Sequence, residues 1–346
     1  MNCYFKKYTL LFRKPGGTSR GVLLSKDTYF IICEEDGKKA YGECNLFTGL
    51  SYDDREGYEE KLKEVCKRLP VEKEKVLSEL HEWPSIRFGV EMVLKDLENG
   101  CRQIIYPQVI NKHGFAIPIN GLIWMGEKQE MMAQIASKLE AGYQSIKLKI
   151  GAIDFETELE LIRFIRTQFN ADSVEIRLDA NGAFEFSEAI EKLKRFSDFD
   201  ISYLEQPIKA GQWHQMAALI EKSPVRIALD EELIGVTNSE QRHALIHTIS
   251  PPLLILKPAL IGGFASTVEW KQLIEEKGGS WIITSALESN IGLNAIAQYT
   301  ALGWSSFAQG LGTGQLYTNN FPSPYTVDAQ GLHYHTERSW DFSLLS

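Results

Sequence analysis

Lys149, Asp179, Glu205, Asp230 and Lys257 follow one another at intervals of 25 to 30 residues, each at the end of a short apolar run. Lys147 stands two residues before the first of them, in the stretch SIKLKIG at 145–151. Three carboxylates brought to one place repel and raise one another's pKa unless a cation lies between them. Oxygen donors on separate strands suit a hard divalent ion, with Mg2+ the first expectation and Mn2+ the alternative. Lysines on both sides of such an ion fit proton chemistry next to a carboxylate: the ion holds the substrate carboxylate, one lysine removes the α-proton, and the ion stabilises the enediolate as it forms. Asp179, Glu205 and Asp230 are therefore the expected metal ligands, Lys149 the base and Lys257 its opposite number. Lys147 is a helper whose charge, with that of the metal, lowers the pKa of Lys149. The competing reading is that the lysines merely pair with neighbouring carboxylates.

Such a ring needs a scaffold that delivers strand ends to one place. From residue 116 onward eight β-rich runs alternate with helical patterns: AIPING, SIKLKI, VEIRLDA, SYLEQP, RIALDEE, LLILKP, SWIITSA and SFAQGLG. The near-constant period predicts an α/β fold, a (β/α)8-type barrel whose active-site face is the C-terminal end of its strands. In SIKLKI, alternation sends Ile146, Leu148 and Ile150 toward the helices and Lys147 and Lys149 into the mouth. Residues 1–115 read differently, as an antiparallel meander with a DG turn followed by helices near 52–68 and 85–99, the second capped by Ser85. The organisation expected is an N-terminal α+β capping domain, 1–115, a barrel catalytic domain, 116–319, and a C-terminal tail, 320–346, that returns to complete the cap.

Further polar residues mark the mouth. Arg177 and Asn181 share the inward parity of Asp179 and are candidates for substrate binding or for orienting the metal ligands. Alternation points Glu231 away, which selects Asp230 from the DEE triplet. Ser285 ends the seventh run, where Glu288 to Asn290 lead into a helix whose N-terminus can hold a carboxylate or simply be capped. Gly310 opens GLGTG, which ends the eighth run as a glycine-rich turn and lacks the GK[ST] ending of a phosphate loop. In the cap, KPGGTSRG offers Ser19 and Arg20 from a loop that either closes over the mouth or only joins two strands.

The formal net charge of −9 argues against a nucleic-acid or anionic-membrane partner and leaves a small-molecule carboxylate as the expected one. No run is apolar enough for a membrane span and no export signal is evident, so the expected location is cytoplasmic. The five cysteines are odd in number and form no CxxC pair, which predicts reduced structural thiols. The seven histidines form no HxH or HExxH cluster, which weakens a zinc site. Oligomeric state is not encoded in any pattern found.

KLK at 147–149, LDAN at 178–181, LEQP at 204–207, LDEE at 229–232 and LKP at 256–258 resemble, in order and spacing, the muconate-lactonising-enzyme branch of the enolase superfamily. GGTSRGVL, YGECNLFTGLS, SIRFGVEM, IPINGLIWMG, SALESNIGLNAIAQ and GLGTGQLY more closely resemble the o-succinylbenzoate synthases of menaquinone biosynthesis. The resemblance implies a lyase that carries out Mg-assisted syn dehydration of 2-succinyl-6-hydroxy-2,4-cyclohexadiene-1-carboxylate to o-succinylbenzoate. Lys149 would then act as base and afterwards as acid, and Lys257 would stabilise the enediolate. N-acylamino-acid racemisation and dipeptide epimerisation are the alternatives within the superfamily, although GLGTG stands where the epimerases carry a DxD pair. A Schiff-base aldolase and a non-catalytic barrel are the readings outside it.

Overall fold

The computed structural model describes residues 1–18, 21–110, 113–304 and 307–345. Its N-terminal part is an antiparallel sheet of β1 (Asn2–Thr18), β2 (Gly21–Glu35) and β3 (Lys38–Cys44), in that order. Asp36 and Gly37 make the expected turn with φ of 51° and 75°, the backbone that matches the twist of a tight hairpin. The register sets Cys3 opposite Cys33, and the two form a disulfide. The expectation of five reduced thiols is therefore corrected for this pair: antiparallel pairing brings both sulfurs to one face, which their spacing in the chain does not reveal. Cys44, Cys66 and Cys101 are free.

Helices α1 (Tyr58–Arg68), α2 (Lys73–Glu79) and α3 (Pro84–Glu98) complete this part. α3 buries Val90, Val93 and Leu94 as its spacing predicts. It starts one residue before Ser85, because Pro84 suits a first turn where no amide needs a partner. Ser85 is not its cap. It is buried, and its amide and hydroxyl donate to Asp53 at 3.0 and 2.7 Å.

Beyond β4 (Phe115–Ile117), the chain alternates β5 (Gly121–Ile123), α4 (Lys128–Glu140), β6 (Ser145–Lys149), α5 (Phe155–Gln168), β7 (Glu175–Asp179), α6 (Phe186–Ser197), β8 (Ile201–Glu205), α7 (Trp213–Lys222), β9 (Ile227–Leu229), α8 (Ser239–Ile249), β10 (Leu253–Leu256), α9 (Pro258–Ile261), α10 (Gly263–Glu276), β11 (Ser280–Ile283) and α11 (Asn290–Ala301). Strands β5 to β11 form one parallel sheet of seven in sequence order, curled into a barrel. Their residues are almost continuously buried, as a sheet covered on both faces requires.

The eighth run closes the barrel without becoming a full strand. Gln309 bridges to Ile119 on one side and Gly310 to Thr284 on the other. Hydrogen bonds from the Gln309 amide to Pro118 O (2.7 Å) and from the Gly310 amide to Ile283 O (3.0 Å) hold this seam. The first run also departs from expectation, because it divides at Pro118, which has no amide to donate. Phe115–Ile117 pairs antiparallel with the tail strand β13 (Gly331–Tyr334), itself paired with β12 (Tyr325–Asp328), and only Gly121–Ile123 joins the barrel.

The tail also reaches the N-terminal sheet. Phe342 stacks on Tyr41 at 4.2 Å, and Lys6 Nζ donates to Leu345 O at 2.7 Å. α3 meets the barrel directly: Phe88 lies 5.4 Å from Phe264, and Glu91 accepts the Phe264 amide at 2.5 Å. Phe30, Ile32 and Phe88 belong to the same apolar core as the barrel, so the two parts share one interior. Among the described residues no helix is long and apolar enough to cross a membrane.

Candidate active site

Parallel register does the placing. Lys149 pairs with Asp179 and Asp179 with Glu205, so three strand ends set these residues side by side. One layer deeper, Lys147 pairs with Arg177 and Arg177 with Tyr203. Lys147 Nζ lies 2.5 Å from Glu205 Oε2 and 3.2 Å from Asp179 Oδ2, bridging the two carboxylates. Lys149 Nζ donates to Asp179 Oδ2 at 3.1 Å and to Asn181 Oδ1 at 2.8 Å. On the other side Lys257, the residue after β10, donates to Asp230 Oδ2.

The three carboxylates are almost wholly buried, with 1% of Asp179, 0% of Glu205 and 2% of Asp230 exposed. Burial pushes the Glu205 carboxyl up, and the Asp179 charge adds to that. Burial acts on Asp179 too, but Lys147, Lys149 and Lys257 outweigh it and hold that carboxyl well below the usual range. Burial works against the charge of Lys147 and Lys257, yet the facing carboxylates raise both above an ordinary lysine. The centre is thus a ring of alternating charge, and each lysine does contact a carboxylate.

Among the described residues no three His, Cys, Asp or Glu side chains form a ready-made metal cage, and each carboxylate of the ring contacts a lysine ammonium. The donors nevertheless fit a hard divalent ion. Glu205 Oε1 is buried with no hydrogen-bond partner, a costly state for a carboxylate oxygen that a cation would relieve.

Above the ring is a cavity of about 170 Å³. Its floor includes Lys147, Lys149, Lys257 and Asp179, and its upper walls include Phe47 and Leu50 from the N-terminal part and Trp124, Leu287 and Leu316 from the barrel. Gln134 holds the Trp124 backbone at both ends, accepting its amide at 2.9 Å and donating to its carbonyl at 3.2 Å. The β1–β2 hairpin lies on this loop. A Cβ at Gly17 would fall 2.0 Å from Met125 O, so only glycine permits the approach. Ser19 and Arg20, expected in the same hairpin, lie outside the described residues.

Asn181 faces the cavity as expected, donating to Glu231 Oε1 at 3.0 Å while it accepts from Lys149. Arg177 does not. It is fully buried below the ring, donating to Glu175 Oε2 and to Ala308 O, both at 2.7 Å, with Tyr203 and Phe307 against its guanidinium. Its inward parity was legible, but its depth was not, and a residue two positions before the strand end belongs to the interior layer. It pins the eighth run to β7 and does not line the cavity.

Ser285 lines the cavity with its hydrogen already committed. Its hydroxyl donates to Glu288 Oε2 at 2.5 Å and accepts from the Leu287 amide and Thr313 Oγ1, which uses its one hydrogen and both lone pairs. Gly310 also lines the cavity, and a Cβ there would lie 2.1 Å from Thr284 Oγ1. Glu231 was expected to point away, yet it faces the cavity, because β9 ends at Leu229 and Glu231–Leu233 is a turn of 3-10 helix to which strand alternation does not apply. Sequence reasoning did not single out Phe47, Leu50, Trp124 and Leu316 as cavity walls. Their segments carry motif resemblance, but no local pattern tells a loop residue which cavity it will roof.

The enolase C-terminal domain-like family matches residues 130–332. An o-succinylbenzoate synthase from Desulfotalea psychrophila is 45% identical over 359 aligned positions that cover 95% of this chain and 97% of that protein. The chain belongs to the o-succinylbenzoate synthase family of the enolase superfamily. The crystal structure of MenC from the same organism superposes on this synthase-family chain with a TM-score of 0.84 at 41% identity, covering 96% of this chain and 99% of that one. A dipeptide epimerase from Enterococcus faecalis, solved with Mg and the dipeptide L-Leu-L-Tyr, also reaches a TM-score of 0.84, covering 98% of this chain and 97% of that one, but at 18% identity it shares only the fold.

Proposed function

We propose that this protein dehydrates 2-succinyl-6-hydroxy-2,4-cyclohexadiene-1-carboxylate to o-succinylbenzoate. The observation that carries the reading is the pair Lys149 and Lys257, set on opposite sides of a buried carboxylate ring beneath a cavity with apolar upper walls. Asp179, Glu205 and Asp230 would hold Mg2+, or Mn2+ in its place, which when bound would neutralise the substrate carboxylate and the charge that builds next to it. Lys149, as a neutral amine, takes the α-proton; the ammonium it becomes gives that proton to the departing hydroxyl on the same face, so water leaves and the ring becomes aromatic. Lys147, bridging Asp179 and Glu205, keeps the floor of the site compact.

Lys257 is held as an ammonium by Asp230, with burial opposing and losing. An ammonium there suits electrostatic stabilisation of an enediolate, and the 45% identity to an o-succinylbenzoate synthase over nearly the whole chain favours dehydration over the racemase and epimerase alternatives. The proposal extends to a role in menaquinone biosynthesis, to a cytoplasmic location, and to residues 1–115 with 320–346 as a capping domain on a catalytic domain of 116–319.

The test is the rate of o-succinylbenzoate formation by the purified protein with Mg2+ and with EDTA. Turnover that EDTA abolishes and Mg2+ restores, and that Lys149→Ala lowers by about 10²–10⁴-fold, is expected. Absence of turnover by folded, Mg2+-supplied protein would sink the reading.

A further inference from the structure

The glycine that closes SIKLKIG is held by a carboxylate. Gly151 adopts φ +91°, and its amide donates to Glu158 Oε1 at 2.5 Å. The amides of Ile153 and Ala152 also favour the charge of Glu158, so successive backbone donors after β6 turn toward one side chain of α5. From the opposite side the loop is walled in, since a Cβ at Gly151 would lie 2.4 Å from Ala183 Cβ. The Ile150 amide, immediately before, donates to Asp179 O at 2.9 Å. Lys149 is therefore followed at once by a ladder bond at Ile150 and an anchored amide at Gly151, with a single residue and no slack between Lys149 and the anchor.

We propose that Glu158 is a positioning residue for Lys149: by gathering the amides that follow β6 it fixes where that strand delivers its terminal lysine. The inference rests on the proton-transfer role given to Lys149 above. Glu158 is 2% exposed, and burial pushes its carboxyl up to about 7, with Lys192 of α6, itself paired with Glu188, the facing cation. A carboxylate that its surroundings disfavour is a poor stabiliser of the fold. Its presence is accounted for by what it holds in place.

Glu158→Gln keeps an oxygen for the Gly151 amide and removes the disfavoured charge, whereas Glu158→Ala removes the anchor. Expected for Glu158→Ala is a kcat about tenfold lower with KM within about twofold, since a small misplacement of a reacting group costs rate and not binding. Glu158→Gln should fall between this and the parent, with a melting temperature at pH 8 equal to or above that of the parent. Independently of turnover, the acylation rate of Lys149 by an activated ester, read by peptide mass mapping, should change several-fold in Glu158→Ala while that of Lys257 does not. A parental acylation rate at Lys149, or a loss of kcat that merely follows a loss of melting temperature, would overturn the proposal. If the parent does not turn over the cyclohexadiene carboxylate, the earlier reading fails by itself and the acylation comparison still decides this one.

Discussion

Arg177→Leu is expected to destabilise the barrel while sparing the chemistry of the molecules that remain folded. The guanidinium is fully buried and holds Glu175 on its own strand and Ala308 O on the closing run. Removing one partner of a buried ion pair costs about 3–5 kcal/mol. The Glu175 side chain is 27% exposed and also accepts from Ser202 at 2.6 Å, so the lower end, or somewhat less, applies to that half. The Ala308 carbonyl would lose its donor in the interior, adding about 1–3 kcal/mol. Together these suggest about 3–5 kcal/mol. With a urea m-value near 3 kcal/mol/M, the midpoint should fall by about 1 M or more. The assay is urea unfolding followed by tryptophan fluorescence, with kcat and KM measured in parallel without urea. A midpoint shift below about 0.3 M would refute the structural role argued for Arg177. Unchanged stability with a large rise in KM would return it to the substrate site.

Asp53 is fully buried and its carboxyl is raised to about 6 from 3.8 by burial, against the opposing bonds from Ser85. The folded state binds this proton more tightly than the unfolded one, so its contribution to stability is present below about pH 4 and lost as pH rises through about 6. Asp53→Asn should therefore gain on the parent by up to about 3 kcal/mol between pH 4 and pH 8, read as the difference in unfolding free energy; a difference independent of pH would refute this. Gly310→Ala should cost about 1–3 kcal/mol by overpacking, since its Cβ would meet Thr284 Oγ1 at 2.1 Å and Thr284 Cβ at 2.6 Å. Adding Thr284→Gly should recover part of that loss in a double-mutant cycle, and strict additivity would rule out the contact as the cause.

What the chain declared locally was the set of strand-end charges. Lys149, Asp179 and Glu205 were readable because a parallel strand has a two-residue repeat, a near-constant βα period brings strand ends to one level, and charged residues break an otherwise apolar run. The motifs around them carried the family resemblance for the same reason, being short, contiguous and tied to chemistry. Tertiary structure alone decided the rest, wherever a residue's role depends on partners distant in sequence. Arg177 and Asp179 share a parity, and only depth in the barrel separates a seam from an active site. Glu231 turned inward because β9 stops at Leu229, which no alternation rule foresees. The Ser285 hydroxyl was spent on Glu288, Leu287 and Thr313, and Cys3 met Cys33 across a hairpin. Phe47 and Leu50 reach the cavity from a part of the chain about 100 residues before the first lysine. Periodicity carries the direction of a side chain within its own element, while depth, pairing and the packing of one element on another are set only when the chain closes on itself.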